Sequence, residues 1–187
     1  QKKLLFEKQH LERLQKASRY FAFPFDAEDL RQKIEEECQA CDSHQDYRLR
    51  ISLSKSGEME LSRQNLTPLS PTFCKAKLCL QEADLQQAFT YFKTTHRPHL
   101  SLGEQEIIYH NAAGELLETS IGNLVLKIAG KLYTPPTSLG ILPGIYRQHL
   151  LETGQVEEKV LTLKDLAQAE TIYGCNAVRG MYELEVI

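Results

Sequence analysis

The chain has 187 residues, 42% of them hydrophobic and 25% charged, with a formal net charge of −3. That length allows one large or two small domains and burial of roughly two-thirds of the unfolded chain's surface, while the near-balanced charge gives no pull towards nucleic acid or anionic lipid. The apolar runs at 124–126 and 139–142 fall far short of the ~20 residues a membrane span needs, and no signal-peptide core is present, so a cytoplasmic protein is expected.

In chain order, Leu4, Leu5, Leu11, Leu14 and Ala17 recur at roughly helical spacing among Lys, Glu and Gln, which predicts an amphipathic helix ending near Phe21, before Phe23-Pro24-Phe25. A second helix is expected from Asp26 to about Cys41. It carries Leu30 and Ile34 on one side and the solvated run Glu35-Glu36-Glu37 on the other. Tyr47, Leu49, Ile51 and Leu53 then alternate with polar residues, Lys55-Ser56-Gly57-Glu58 supplies a turn, and the chain returns over 59–61 as a hairpin. Residues 62–73 read as loop, 76–80 as a short strand, and 85–92 as a linker leading into Lys93.

From Glu106 the pattern changes to short strands separated by tight turns: 107–110, 116–117, 123–128 and 132–133. Leu142-Pro143-Gly144 opens a helix through Leu151, another covers 163–169, and a final strand starts at Met181. The class is therefore α+β, helix-rich first and strand-rich second, with two lobes expected around a cleft. The five cysteines, Cys38, Cys41, Cys74, Cys79 and Cys175, are odd in number, unevenly spaced and without companion histidines. Neither a disulfide framework nor a metal site is expected from them.

Lys93, in Tyr91-Phe92-Lys93-Thr94-Thr95-His96-Arg97, would alone read as a surface lysine; a lysine that attacks an aldehyde needs partial desolvation so that its amine is neutral. Three blocks downstream of it change that reading. The segments 111–124 (Asn111 through Glu118-Thr119-Ser120-Ile121-Gly122-Asn123-Leu124), Tyr133-Thr134-Pro135-Pro136 and Leu139-Gly140-Ile141-Leu142-Pro143-Gly144-Ile145-Tyr146-Arg147 resemble the class IV, fold-type IV aminotransferases that use pyridoxal 5'-phosphate (PLP). That family includes branched-chain and D-amino acid aminotransferases and aminodeoxychorismate lyases. Upstream, His10-Leu11-Glu12-Arg13-Leu14 matches its helix carrying a phosphate-binding arginine. The blocks occur in the family's order over nearly the whole chain, which is far more specific than any one of them.

The resemblance implies a two-lobed enzyme resembling D-amino acid aminotransferase, with PLP as cofactor. A small N-terminal lobe is expected over 1–83, lacking the family's first strands, then a linker over 84–97 and a large lobe over 98–187. It implies Lys93 as the lysine that bonds the cofactor and carries protons. Glu118 would pair with the pyridine nitrogen, and Arg13, the N–H groups of Ile145 and Tyr146, and Asn176 would bind the phosphate. Lys93-Thr94-Thr95-His96-Arg97, Ser18-Arg19-Tyr20-Phe21 and Asn176-Ala177-Val178-Arg179-Gly180 lean towards the lyase branch, which yields 4-aminobenzoate and pyruvate for folate synthesis, and towards a lyase domain fused behind a synthase.

Its substrate carries carboxylates, for which Arg97 and Arg179 are candidates; either is equally a structural ion-pair partner. The alternatives left open are an aminotransferase for small amino acids and a non-catalytic remnant. A homodimer is expected, and nothing implies nucleic acid or membrane as a partner. Asn123 reads as a structural residue closing a turn, and His96 and His99 as exposed loop histidines.

Overall fold

The computed structural model describes residues 4–81, 88–97, 100 and 103–187. The chain divides into two compact units, 1–68 and 69–187.

In the first unit, helix α1 spans Glu7–Phe21 and ends where Ala22 takes a left-handed conformation (φ 55°), with Phe23 N–H donating to Ser18 O at 2.9 Å. Helix α2, Ala27–Gln39, is started by Asp26, whose carboxylate accepts from the N–H groups of Glu28 and Asp29 at 2.9 and 3.1 Å. Leu30 and Ile34, one turn apart, are the helix's buried face. Strands β1, Tyr47–Leu53, and β2, Met59–Asn65, pair antiparallel along their full length. The return strand therefore runs four residues past the expected 61, because every β1 residue as far as Tyr47 finds a ladder partner. Arg63 on β2 donates to Glu37 O at 3.0 Å and ties the hairpin to the end of α2.

The second unit is a mixed eight-stranded sheet in the order β5-β4-β3-β10-β9-β6-β7-β8. The strands are β3 Lys75–Leu80, β4 Glu106–His110, β5 Leu116–Thr119, β6 Asn123–Ile128, β7 Lys131–Thr134, β8 Glu157–Glu158, β9 Thr171–Asn176 and β10 Gly180–Val186. β5 also pairs with β6 through Glu118 opposite Asn123, so the six strands from β5 to β6 close on themselves.

Sequence reading misses β9. It is the neighbour of both β10 and β6, and its Tyr-Gly-Cys-Asn core lacks a clean polar–apolar alternation because both its faces are partly covered. β3 pairs with β10 and β4 in this sheet. The structural division at 68/69 thus differs from the expected lobe boundary at 83, since strand pairing, not composition, assigns β3.

Side-chain alternation sorts the core. Leu124 and Leu126 join Ala76, Ile108, Leu116, Leu161, Leu166 and Leu184 on one side of β6. Val125 between them joins Leu150, Val156 and Cys175 on the other. Each fully buried Leu contributes about 1.5–3 kcal/mol of transfer free energy. Helix α3, Ala88–Tyr91, precedes Lys93; α4, Ile145–Glu152, follows Gly144; and α5, Leu163–Gln168, starts with a capping box between Thr162 and Asp165.

Candidate active site

Ring closure between β5 and β6 decides the geometry of the site. Glu118 is the residue of β5 that pairs with Asn123 of β6, and it is 2% exposed. Asn123 Nδ2 donates to Leu142 O at 2.9 Å, which draws the segment before α4 against the same seam. The fit there is tight: a Cβ on Gly144 would stand 2.0 Å from Asn123 Oδ1, so only glycine serves. The structural reading of Asn123 holds, but its partner is a carbonyl 19 residues away and not its own turn.

Arg97 Nη2 donates to Glu118 Oε1 at 2.9 Å. Burial raises the Glu118 carboxyl from its ordinary 4.5 to about 6; the charge of Arg97, a hydrogen bond from the backbone of Leu142 and the charge of Lys93 pull the other way. Lys93 is exposed, yet it stands within the electrostatic field of Glu118. Its segment is held on either side. Phe92 N–H closes α3 on Ala88 O at 2.9 Å, Thr94 Oγ1 donates to His96 O at 2.7 Å, and the His96 ring meets Phe89 edge-on at 5.1 Å. His96 is exposed, as read from sequence; His99 lies outside the described residues.

Ile145 and Tyr146 open α4, whose N-cap is Gly144 and carries no side-chain cap. The first N–H groups of a helix have no partner within it and favour an anion. Asn176 ends β9 with its Oδ1 accepting from Val178 N–H (3.0 Å) and Arg179 N–H (2.9 Å), while its Nδ2 points at Ile121 O, 3.4 Å away. The 176–180 turn therefore faces the Thr119–Gly122 turn that comes after Glu118. Arg13 belongs to the first unit, where its Nη2 lies 3.4 Å from His10 Nδ1.

Two buried polar groups near the seam escape sequence reading. Glu106 is fully buried; it accepts from Ser120 Oγ and from Tyr182 Oη at 3.0 Å. The Tyr182 ring fits because residue 174 is glycine, whose Cβ would come within 2.5 Å of it. Burial, and then the Glu106 carboxylate, push the Tyr182 hydroxyl far above its ordinary value. Arg147, 2% exposed, joins α4 to Pro135 O at 2.7 Å and to Glu158. Its sequence signal is a charged residue placed three positions before Leu150, on the buried side of α4. Among the described residues no group of three or more His, Cys, Asp or Glu is placed to hold a metal ion, and no helix is long and apolar enough to cross a membrane.

A closed mixed sheet with a buried glutamate at its seam, a lysine in that glutamate's field and a glycine-started helix beside it defines a class, and the sequence profile of class IV aminotransferases matches residues 1–187: the chain belongs to that family, whose members are PLP-dependent enzymes. Among curated proteins it is similar to aminodeoxychorismate lyase of Saccharomyces cerevisiae, 29% identical over 119 residues, covering 50% of this chain and 32% of that protein.

Among solved structures it is similar to a protein from Mesorhizobium loti assigned as an amino-acid aminotransferase (TM-score 0.84, 26% identity, 96% of this chain and 91% of that one). A protein from Haemophilus somnus assigned as 4-amino-4-deoxychorismate lyase shares the fold (TM-score 0.70, 24% identity, 91% of this chain and 88% of that one). The chain spans about a third of the length of the curated relatives it matches.

Proposed function

We propose that this chain carries the PLP site of a 4-amino-4-deoxychorismate lyase that releases 4-aminobenzoate and pyruvate, acting in the cytoplasm as a homodimer. The observation that carries the reading is the buried Glu118 carboxylate within the field of Lys93, beside the uncapped start of α4. That donor set suits a group bearing an aldehyde, a basic ring nitrogen and a phosphate.

Bound there, the cofactor supplies an electron sink beside the substrate's amino group. The protein supplies the rest. Glu118 holds a proton on the ring nitrogen, and Lys93 anchors the cofactor and then moves a proton at its Nζ. The N–H groups of Ile145 and Tyr146 and the Asn176 amide would hold the phosphate. Arg97 is engaged by Glu118; Arg179, in the turn that follows Asn176, is a candidate for a substrate carboxylate.

Support for the lyase comes from the yeast relative and from the Lys93-Thr94-Thr95-His96-Arg97 and Asn176-Ala177-Val178-Arg179-Gly180 segments. The Mesorhizobium loti likeness, at 26% identity over 91% of that chain, favours the second reading, an aminotransferase. The two part on one measurement: incubation with PLP and 4-amino-4-deoxychorismate, with and without a keto acid. Formation of 4-aminobenzoate without any keto acid is the expected result; amino transfer that needs one would overturn the lyase. After borohydride reduction, mass spectrometry should find the cofactor mass on the peptide holding Lys93, and none in Lys93→Ala. Absence of the adduct in the wild type sinks the catalytic reading altogether.

A further inference from the structure

Arg97 and Glu118 form a shielded pair, with side chains at 14% and 3% of full exposure and Nη2 2.9 Å from Oε1. Arg97 Nε is buried and has no hydrogen-bond partner among the described residues, so the guanidinium is committed to this position without the full set of bonds it could make. A buried carboxylate stays ionised only if something compensates for the water it has lost.

Among the described residues, few groups face Glu118. They are the guanidinium of Arg97, the backbone of Leu142, the charge of Lys93 and, across the strand pairing, the neutral Asn123. Lys93 is exposed, and its influence ranks below that of Arg97. A lysine that bonds the cofactor also cannot keep one charge throughout, whereas a guanidinium is always charged. Arg97 is the constant cation of the pair.

We infer that Arg97 is a positioning residue that holds Glu118 as an oriented anion before the cofactor arrives, leaving the carboxylate's remaining acceptor capacity for a protonated ring nitrogen. It thus acts on the chemistry through Glu118, and not by touching a substrate carboxylate. The inference rests on the reading of Glu118 as the ring-nitrogen partner. Burial already lifts Glu118 to about 6 with Arg97 present, so its removal leaves the carboxyl largely protonated at neutral pH.

The test is a titration of the cofactor-free protein labelled with ¹³C-glutamate, with the Glu118 carboxyl assigned by its loss in Glu118→Gln. The expected midpoint is near 6 in the wild type, at least a full pH unit higher in Arg97→Gln, and intermediate in Arg97→Lys, which keeps the charge but not the planar fork. A rise of two units leaves roughly one-tenth of Glu118 ionised at pH 7 and weakens PLP binding about tenfold there, with recovery near pH 9.

An unchanged midpoint in an Arg97→Gln protein that keeps its amide spectrum overturns the inference. Should that variant fail to fold, the wild type decides: the Arg97 side-chain ¹⁵N resonances must inflect at the same pH as Glu118, and independence of the two overturns the pairing. A wild type that shows the coupling but binds no PLP at any pH overturns the cofactor reading instead, leaving the ion pair standing.

Discussion

Glu118 links stability to pH with a definite sign. Its folded-state value of about 6 lies above its ordinary 4.5, so the folded protein binds the extra proton. That contribution is complete below 4.5 and is lost as pH rises through 6. The difference amounts to on the order of 2 kcal/mol. Urea midpoints of the wild type and Glu118→Gln should therefore diverge between pH 4.5 and 7, with the wild type losing ground; parallel profiles would show that the carboxyl is not held in a desolvated site.

Tyr182→Phe tests the second buried carboxylate. It deletes the 3.0 Å bond to Glu106 and leaves that acceptor a partner short, at an expected cost of about 1–3 kcal/mol, read as a lower urea midpoint. Lys93 and Glu118 were both singled out by the order of the motifs around them. Their electrostatic coupling was not, because it depends on how far burial strips water from a side chain whose neighbours are 21–25 positions away.

At the scale of elements, the start of α4 depends on a single missing methyl group. Gly144→Ala would place a Cβ 2.0 Å from Asn123 Oδ1, forcing the amide off Leu142 O; overpacking of this kind costs about 1–3 kcal/mol and should lower Tm by roughly 2–12 °C. Gly103→Ala is the control, since its Cβ would meet nothing nearer than 3.8 Å.

Thiol labelling reports on the strands. Cys79 on β3 is exposed and should react with a thiol reagent in the folded protein, whereas Cys175 on β9 is fully buried with its thiol pushed up to about 12 by burial and should react only on unfolding. Both helices of the first unit, the β1 strand and most strands of the second unit were readable from periodicity and turn residues. β9 was not, since a strand flanked by two others in a closed sheet need not alternate, and β2 was read short because its last residues are polar and are specified only by their partners.

For the whole molecule, the division at 68/69 means that the eight-stranded sheet, the buried clusters on the two sides of β6 and the Arg97–Glu118 seam all belong to residues 69–187. A chain of those residues is expected to unfold cooperatively in urea and to retain the Glu118 midpoint near 6; a broad, non-cooperative transition would show that the sheet needs residues 1–68.

What the sequence determined by itself is what local spacing and motif order can carry: the α+β class, most elements and the family. Only the tertiary structure decided that β5 meets β6 at Glu118 and Asn123, that Asn123 pins the start of α4, and that Arg97 answers Glu118 instead of standing free. Each of these joins residues far apart in the chain through strand pairing or desolvation, and no periodicity along the sequence records such a contact.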